Sequence, residues 1–470
     1  MADRPNILFL MTDQMQGRVL DPAHPCRTPN FDRLAARGVR FRNAHTVNAV
    51  CSPARASLMT GLLPHNHGVL TVTHTMDADQ CVLRTDKPHW AQRLSAAGYR
   101  TAYFGKWHVE HTNRPQDFGW QVTTFGPPPE KPAGQPQYSL RVTLDEPEGY
   151  KPAMLCGVTD RPPEQRGVGI TSAAAAAFLQ DATRSGQPWC CFVSVSEPHD
   201  PYVCGEEAYA QYDPDALPLP ASLRDDLAGR PGIYRKAGRA FAQLTERQHR
   251  QAAACYYASI TEVDQQFGRL LDLLERSGAL DSTIVILTSD HGDCLGAHGL
   301  YQKNFGAFEE IYNIPMIVAG PGIARGAATS ARVGSHDLCP TILELTACKP
   351  ITAPDSRSFA QVLRDPPRHE AQFTTGYAEY FGTRYMLTQR VIWDGPWKLA
   401  WNGFDFDELY NLDSDPHEMR NLIDEPGCRP VVRRLMELAW EKVRSTGDHT
   451  LLQSGYASLR VAPFGPAISA

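Results

Sequence analysis

Short apolar runs bounded by polar residues recur along the chain, and each reads as a buried strand. Residues 6–11 form the first (Asn-Ile-Leu-Phe-Leu-Met); residues 99–104, 189–195, 283–288 and 315–318 follow. Between them lie segments of helical character. Residues 29–36 close at Gly38, residues 52–59 stop at Thr60-Gly61, and residues 89–97 end at Gly98; glycine just past a periodic run is a helix stop. A longer helix is marked by Ile260, Val263, Phe267, Leu270, Leu271 and Leu274, apolar positions at helical spacing. Strands alternating with helices predict an α/β fold: a mostly parallel central sheet with helices on both faces.

The pattern changes twice. Residues 127–163 hold nine prolines and little periodicity, which predicts a long excursion or lid rather than a core element. From about Phe373 the chain carries short aromatic segments around Tyr377, Tyr385, Trp393, Trp397 and Tyr410, then a helix-like run over 431–443. This predicts a catalytic α/β domain over 1–372 and a smaller C-terminal α+β subdomain, with an antiparallel sheet, over 373–470.

In open parallel sheets, chemistry gathers past the carboxyl ends of the strands. The residues there are polar and reactive: Thr12-Asp13-Gln14, Gly105-Lys106-Trp107-His108, Glu197-Pro198-His199 and Ser289-Asp290-His291-Gly292. Asp13, Gln14, Asp290 and His291 offer oxygen and nitrogen donors for one divalent ion; capping of the following turns by the two aspartates is the plainer reading of either pair alone. Cys51 precedes Pro53, which suits the first turn of a helix. That places the thiol at a helix N-terminus, where an anion or activated nucleophile is stabilised. Arg55 lies one turn on, on the same face. Lys106, His108, His199 and Lys303 are suitable donors to a tetrahedral oxyanion, and a histidine near a leaving oxygen can act as general acid.

Composition narrows the partners. Hydrophobic residues make up 42% and charged residues 21%, with a net charge of -6; this is a globular balance with no basic surface for nucleic acid. The opening apolar run is too short for a secretory h-region and no stretch is long enough to span a membrane, so a cytoplasmic, non-membrane protein is expected. The twelve cysteines read mainly as buried small hydrophobes.

These motifs resemble the formylglycine sulfatases of the alkaline phosphatase superfamily. Cys51-Ser52-Pro53-Ala54-Arg55 with Thr60-Gly61 is similar to the family signature. Gly105-Lys106-Trp107-His108 and Ser289-Asp290-His291-Gly292 are similar to two further motifs, and Glu408 to Asp413, Asp415-Pro416, Glu418 and Asn421-Leu422 to a C-terminal one. The resemblance implies that a separate formylglycine-generating enzyme oxidises Cys51, and that the aldehyde hydrate attacks sulfur. It implies a metal held by Asp13, Gln14, Asp290, His291 and an oxygen of modified Cys51. Arg55 would stabilise the modified residue, Lys106 and Lys303 would grip the sulfate, His199 would protonate the leaving oxygen, and His108 would help deprotonate the second hydroxyl. The second hydroxyl then expels sulfate by elimination. Many members carry Asp and Asn where this chain has Gln14 and His291. The set here resembles the branch of choline sulfatases, some glycosaminoglycan-type sulfatases and phosphonate monoester hydrolases. Calcium is expected first, with manganese or magnesium as alternatives.

Three functions follow: a hydrolase of small-molecule or sugar sulfate esters; a phosphonate monoester or phosphodiester hydrolase on the same scaffold; and a non-catalytic binding paralogue, against which retention of Cys51 and the carboxylates argues. By analogy with the branch, a homodimer or tetramer is expected.

Overall fold

The computed structural model describes residues 4–75, 77, 81–84, 86–111, 114–126, 134–303, 306–352, 355–383, 385–452 and 456–466. Seven strands form the central sheet. In spatial order they are Ala327–Gly334, Gly38–His45, Met316–Ala319, Thr283–Ser289, Asn6–Thr12, Trp189–Ser194 and Arg100–Gly105. All run parallel except Met316–Ala319, which is antiparallel to both its neighbours. The expected strands are present to within a residue or two.

Asn6–Thr12 is apolar at nearly every position because both its faces are covered. Leu8 and Leu10 pack with the long helix Glu246–Arg276 and with Gly167–Ala182. Ile7, Phe9 and Met11 pack with Cys51–Thr60, Trp90–Ala96 and Leu338–Leu345. All six expected apolar positions of the long helix, Ile260 to Leu274, are buried in the first of these cores.

The register matters for the site. Met11 pairs with Ser194, Gly105 with Ser194, and Thr12 with Ser289. Four strands therefore end level, and the loops that leave them meet over one edge of the sheet.

Residues 127–163 correct an expectation. Residues 127–133 lie outside the described residues, but Tyr138–Leu144 and Ala153–Thr159 are strands of a three-stranded sheet completed by Tyr202–Gly205. Val142, Leu155, Cys156 and Val158 are buried in the main core. Pro147 and Pro152 fall in the connection between the two strands, where a missing N–H breaks no ladder bond. The proline count masked two short apolar patterns.

The C-terminal aromatic segments form the antiparallel sheet Thr375–Gly382, Met386–Asp394, Trp397–Asn402 and Glu408–Asn411. One face, with Ala378, Tyr380, Val391 and Trp393, packs on Ala49, Val50, Phe308 and Tyr312. The other carries Ile392, Leu399, Trp401 and Leu409 against Leu435, Met436 and Trp440 of the helix Arg429–Thr446. The sheet thus buttresses the segment leading into Cys51. All twelve cysteines are unpaired, and all but Cys428 are buried. No helix among the described residues is long and apolar enough to cross a membrane.

Candidate active site

Cys51 is the first residue of the helix Cys51–Thr60, preceded by Val50 in extended conformation and closed by Gly61 at φ 73°. The thiol therefore faces the positive end of the helix. His291 Nε2 lies 3.1 Å from Cys51 Sγ, and His291 Nδ1 lies 2.9 Å from the Gly292 carbonyl. A carbonyl only accepts, so Nδ1 carries a proton and Nε2 is the ring atom that faces the Cys51 position.

Ligand atoms of Asp13, Cys51, Asp290 and His291 all lie within 4.8 Å of one another, and all four residues are buried. Arg55, also buried, ties the carboxylates together. Its Nη2 donates to Asp13 Oδ2 at 2.9 Å and its Nε to Asp290 Oδ2 at 2.7 Å; its Nη1 is held by Ser194 Oγ at 2.8 Å and the Lys106 carbonyl at 3.0 Å. Two carboxylates, one imidazole nitrogen and the Cys51 position are a donor set that fits one divalent cation.

A crown of cations stands beside this set. Lys106 leaves its strand after Gly105, whose φ is 93° and where an added Cβ would meet the Ser194 carbonyl at 2.0 Å; only glycine fits. Lys106 Nζ reaches Asp13 Oδ2 at 2.5 Å and Cys51 Sγ at 4.0 Å. Lys303 Nζ, nearly buried, lies 2.5 Å from Gln14 Oε1 and 2.5 Å from His199 Nε2. Burial and Lys303 oppose the charged form of His199, yet Asp13, a hydrogen bond with Cys51 and Asp200 together outweigh them and raise its pKa to about 9. Each of these groups, when protonated, is a charge-assisted donor to an anion. Burial and Asp13 push the Cys51 thiol up, but Lys303, His291 and Lys106 hold it well below the ordinary thiol range.

The structure brings together nine of the ten residues singled out in the sequence: Asp13, Gln14, Cys51, Arg55, Lys106, His199, Asp290, His291 and Lys303. His108 shares no hydrogen bond with that network among the described residues. It has φ 47°, and its Nε2 lies 3.1 Å from His74 Nδ1, the two rings stacked. Four polar residues around the centre were not anticipated: Ser194, Asp200, Tyr202 and Asp293. Asp200 and Asp293 sit within His199-Asp200-Pro201 and Asp290-His291-Gly292-Asp293. Their adjacency to reactive residues was the available signal.

The site sets a cysteine at a helix N-terminus beside two carboxylates and an imidazole, a group that could hold a divalent cation. Comparison with known proteins gives the family. The sulfatase family model matches residues 5–348, and the model of the N-sulphoglucosamine sulphohydrolase C-terminal region matches residues 296–445. The chain belongs to the sulfatase family, the sulfuric ester hydrolases of the alkaline phosphatase superfamily. It is 30% identical over 447 residues to a choline-sulfatase of Rhizobium meliloti, covering 90% of this chain and 83% of that one. A phosphonate monoester hydrolase structure from Silicibacter pomeroyi superposes with TM-score 0.76 at 23% identity, over 95% of this chain and 97% of that one. A structure solved with D-glucosamine-2-N,6-O-disulfate as its substrate superposes with TM-score 0.74 at 24% identity, covering 95% of this chain and 99% of that one.

Proposed function

We propose that this chain hydrolyses sulfate monoesters with formylglycine made from Cys51, in a site holding one divalent cation. The observation that carries the reading is Cys51 at a helix N-terminus, its Sγ 3.1 Å from His291 Nε2 and grouped with the carboxylates of Asp13 and Asp290. Asp13, Gln14, Asp290 and His291 would hold the cation, calcium first and manganese or magnesium as alternatives. The cation supplies Lewis-acid neutralisation of sulfate oxygens, and the hydrated aldehyde supplies the nucleophilic oxygen.

The chain's own residues do the rest. Lys106 and Lys303 bind the sulfate oxygens and orient the ester. Protonated His199, its Nδ1 anchored 2.7 Å from the Asp200 carbonyl, holds a proton at Nε2 for the leaving oxygen. Arg55 fixes Asp13 and Asp290 so that neither turns toward the substrate. His108 would accept a proton when sulfate is expelled, a role that rests on its place in the Gly105-Lys106-Trp107-His108 motif. The substrate is a small-molecule or sugar sulfate, and a formylglycine-generating enzyme is the maturation partner.

Mass spectrometry of the peptide spanning Cys51 tests the first element, and metal analysis of the same sample the second. Modified, metal-loaded protein that left aryl, choline and sugar sulfates untouched would overturn the reading. A second reading, phosphonate monoester or phosphodiester hydrolysis, draws on Gln14 and His291, which give the cation a neutral amide and an imidazole. Sulfate monoesters and phosphonate monoesters carry the same single charge. The ratio of kcat/KM on matched nitrophenyl sulfate and phenylphosphonate esters decides between them.

A further inference from the structure

We infer that Asp293 and Asp200 are positioning residues that fix which end of the Gln14 amide faces the metal site. The inference rests on the reading of that site given above and adds how the chain orients its one neutral oxygen ligand. Gln14 Nε2 lies 2.5 Å from Asp293 Oδ2 and 2.9 Å from Asp200 Oδ1. A primary amide nitrogen has two hydrogens, so both are committed to carboxylates. The oxygen is left on the opposite side, where Oε1 meets Lys303 Nζ.

Asp293 is completely buried and has no freedom to do otherwise. Its Oδ2 also accepts from Tyr202 Oη at 2.7 Å, and its Oδ1 accepts from the Leu295 and Gln302 amides at 2.7 and 3.0 Å. Asp200 Oδ2 accepts from Gln302 Nε2 at 2.9 Å. Gln302 precedes Lys303, so the two carboxylates that orient the ligand amide also hold the residue beside the lysine, Asp293 by its backbone and Asp200 by its side chain. The arrangement accounts for glutamine at position 14: an acid there would set a third carboxylate against two. Partners behind a metal ligand set its orientation and basicity, and their loss typically costs about 10–100-fold in metal affinity.

In the Asp293→Asn variant, residue 293 presents an amide nitrogen. That nitrogen opposes the Gln14 N–H while Asp200 still accepts from it, so the amide is no longer held with its oxygen toward the metal site. The test is calorimetric titration of Ca2+ and of Mn2+ into metal-stripped, formylglycine-containing protein, with metal-free melting recorded beside it. Asp293→Asn is expected to lose about 10–100-fold in affinity. In a Gln14→Ala background the same substitution is expected to cost little, because its effect passes through Gln14. Wild-type affinity in Asp293→Asn, or an equal loss in both backgrounds, overturns the inference and leaves the sulfatase reading intact. If Asp293→Asn does not fold, Asp200→Asn, at a partly exposed position, decides in the same way. A wild-type protein that binds neither ion overturns the metal-site reading itself, and the inference with it.

Discussion

Arg55 Nε donates to Asp290 Oδ2 at 2.7 Å while Nη2 of the same guanidinium donates to Asp13 Oδ2 at 2.9 Å, all three side chains being shut off from solvent. One planar cation thus spans carboxylates from two strands and prepays part of their mutual repulsion before any metal binds. Removing one partner of a buried ion pair costs about 3–5 kcal/mol, because it leaves uncompensated charge. Arg55→Ala is therefore expected to lose stability on that scale in metal-free buffer. A divalent cation held by the same carboxylates would bind the folded state alone, so part of the loss should return on its addition. Urea unfolding with and without Ca2+ or Mn2+ measures both; a loss unchanged by either ion would separate Arg55 from the metal site.

The pKa of His199 is raised to about 9, because Asp13, a hydrogen bond with Cys51 and Asp200 together exceed the opposing effects of burial and Lys303. A general acid works in its protonated form, so its contribution is present below its pKa and lost as pH rises through it. A bound cation lowers this value, which puts the descending limb of kcat at or below about pH 9. His199→Ala is expected to cost about 10²–10⁴-fold on alkyl or sugar sulfates. The loss should be much smaller on nitrophenyl sulfate, whose leaving group needs little protonation, and its descending limb should vanish. Equal losses on both ester classes would assign His199 to binding.

Asp407 carries a pH signature at a distance from the chemistry. Burial, aided by Glu408, raises its pKa to about 7 against the opposing hydrogen bond from the Asn402 amide at 2.7 Å. A raised folded-state pKa means the folded form holds the proton more tightly. The stabilisation is complete below about pH 4 and is lost as pH rises through about 7. The shift sets an upper bound of about 4 kcal/mol. Asp407→Asn keeps an acceptor for Asn402 and removes the titration. It should flatten the stability profile between pH 4 and 7 and stabilise the protein at pH 8, read from urea midpoints across that range.

The sheet was legible in the sequence because strands such as Asn6–Thr12 and Thr283–Ser289 are apolar on both faces. The reactive residues were legible because parallel strands deliver them to one edge. Two features were not. The strand Tyr138–Leu144 is mostly solvent-facing and Ala153–Thr159 is a short buried run, and prolines before, between and after them obscure both patterns. Asp200 and Asp293 act by accepting hydrogen bonds from Gln14, Gln302 and Tyr202. Those partners are remote in sequence, and nothing local distinguishes such an aspartate from one capping a turn. His108 shows the converse: its motif marked it as catalytic, while its hydrogen-bond contact is with His74.

The need for an aldehyde rather than a plain hydroxyl yields the last prediction. Cys51 is buried beneath Lys106, His291 and Lys303, so an ester formed there is shielded from bulk water. A hydrated aldehyde carries a second hydroxyl on the same carbon, and its deprotonation breaks the carbon–oxygen bond to sulfate without any water attack. Serine at the same place has one hydroxyl. It can be sulfated, with the alcohol leaving after protonation by His199, but it has no internal route to release. Cys51→Ser is therefore expected to give one equivalent of alcohol per chain from nitrophenyl sulfate and then stop. The peptide spanning residue 51 should gain the mass of one sulfuryl group while the metal content stays as in the parent. Steady turnover by Cys51→Ser, with no covalent adduct in the mass spectrum, would mean that water reaches the sulfur directly and that position 51 is not the nucleophile.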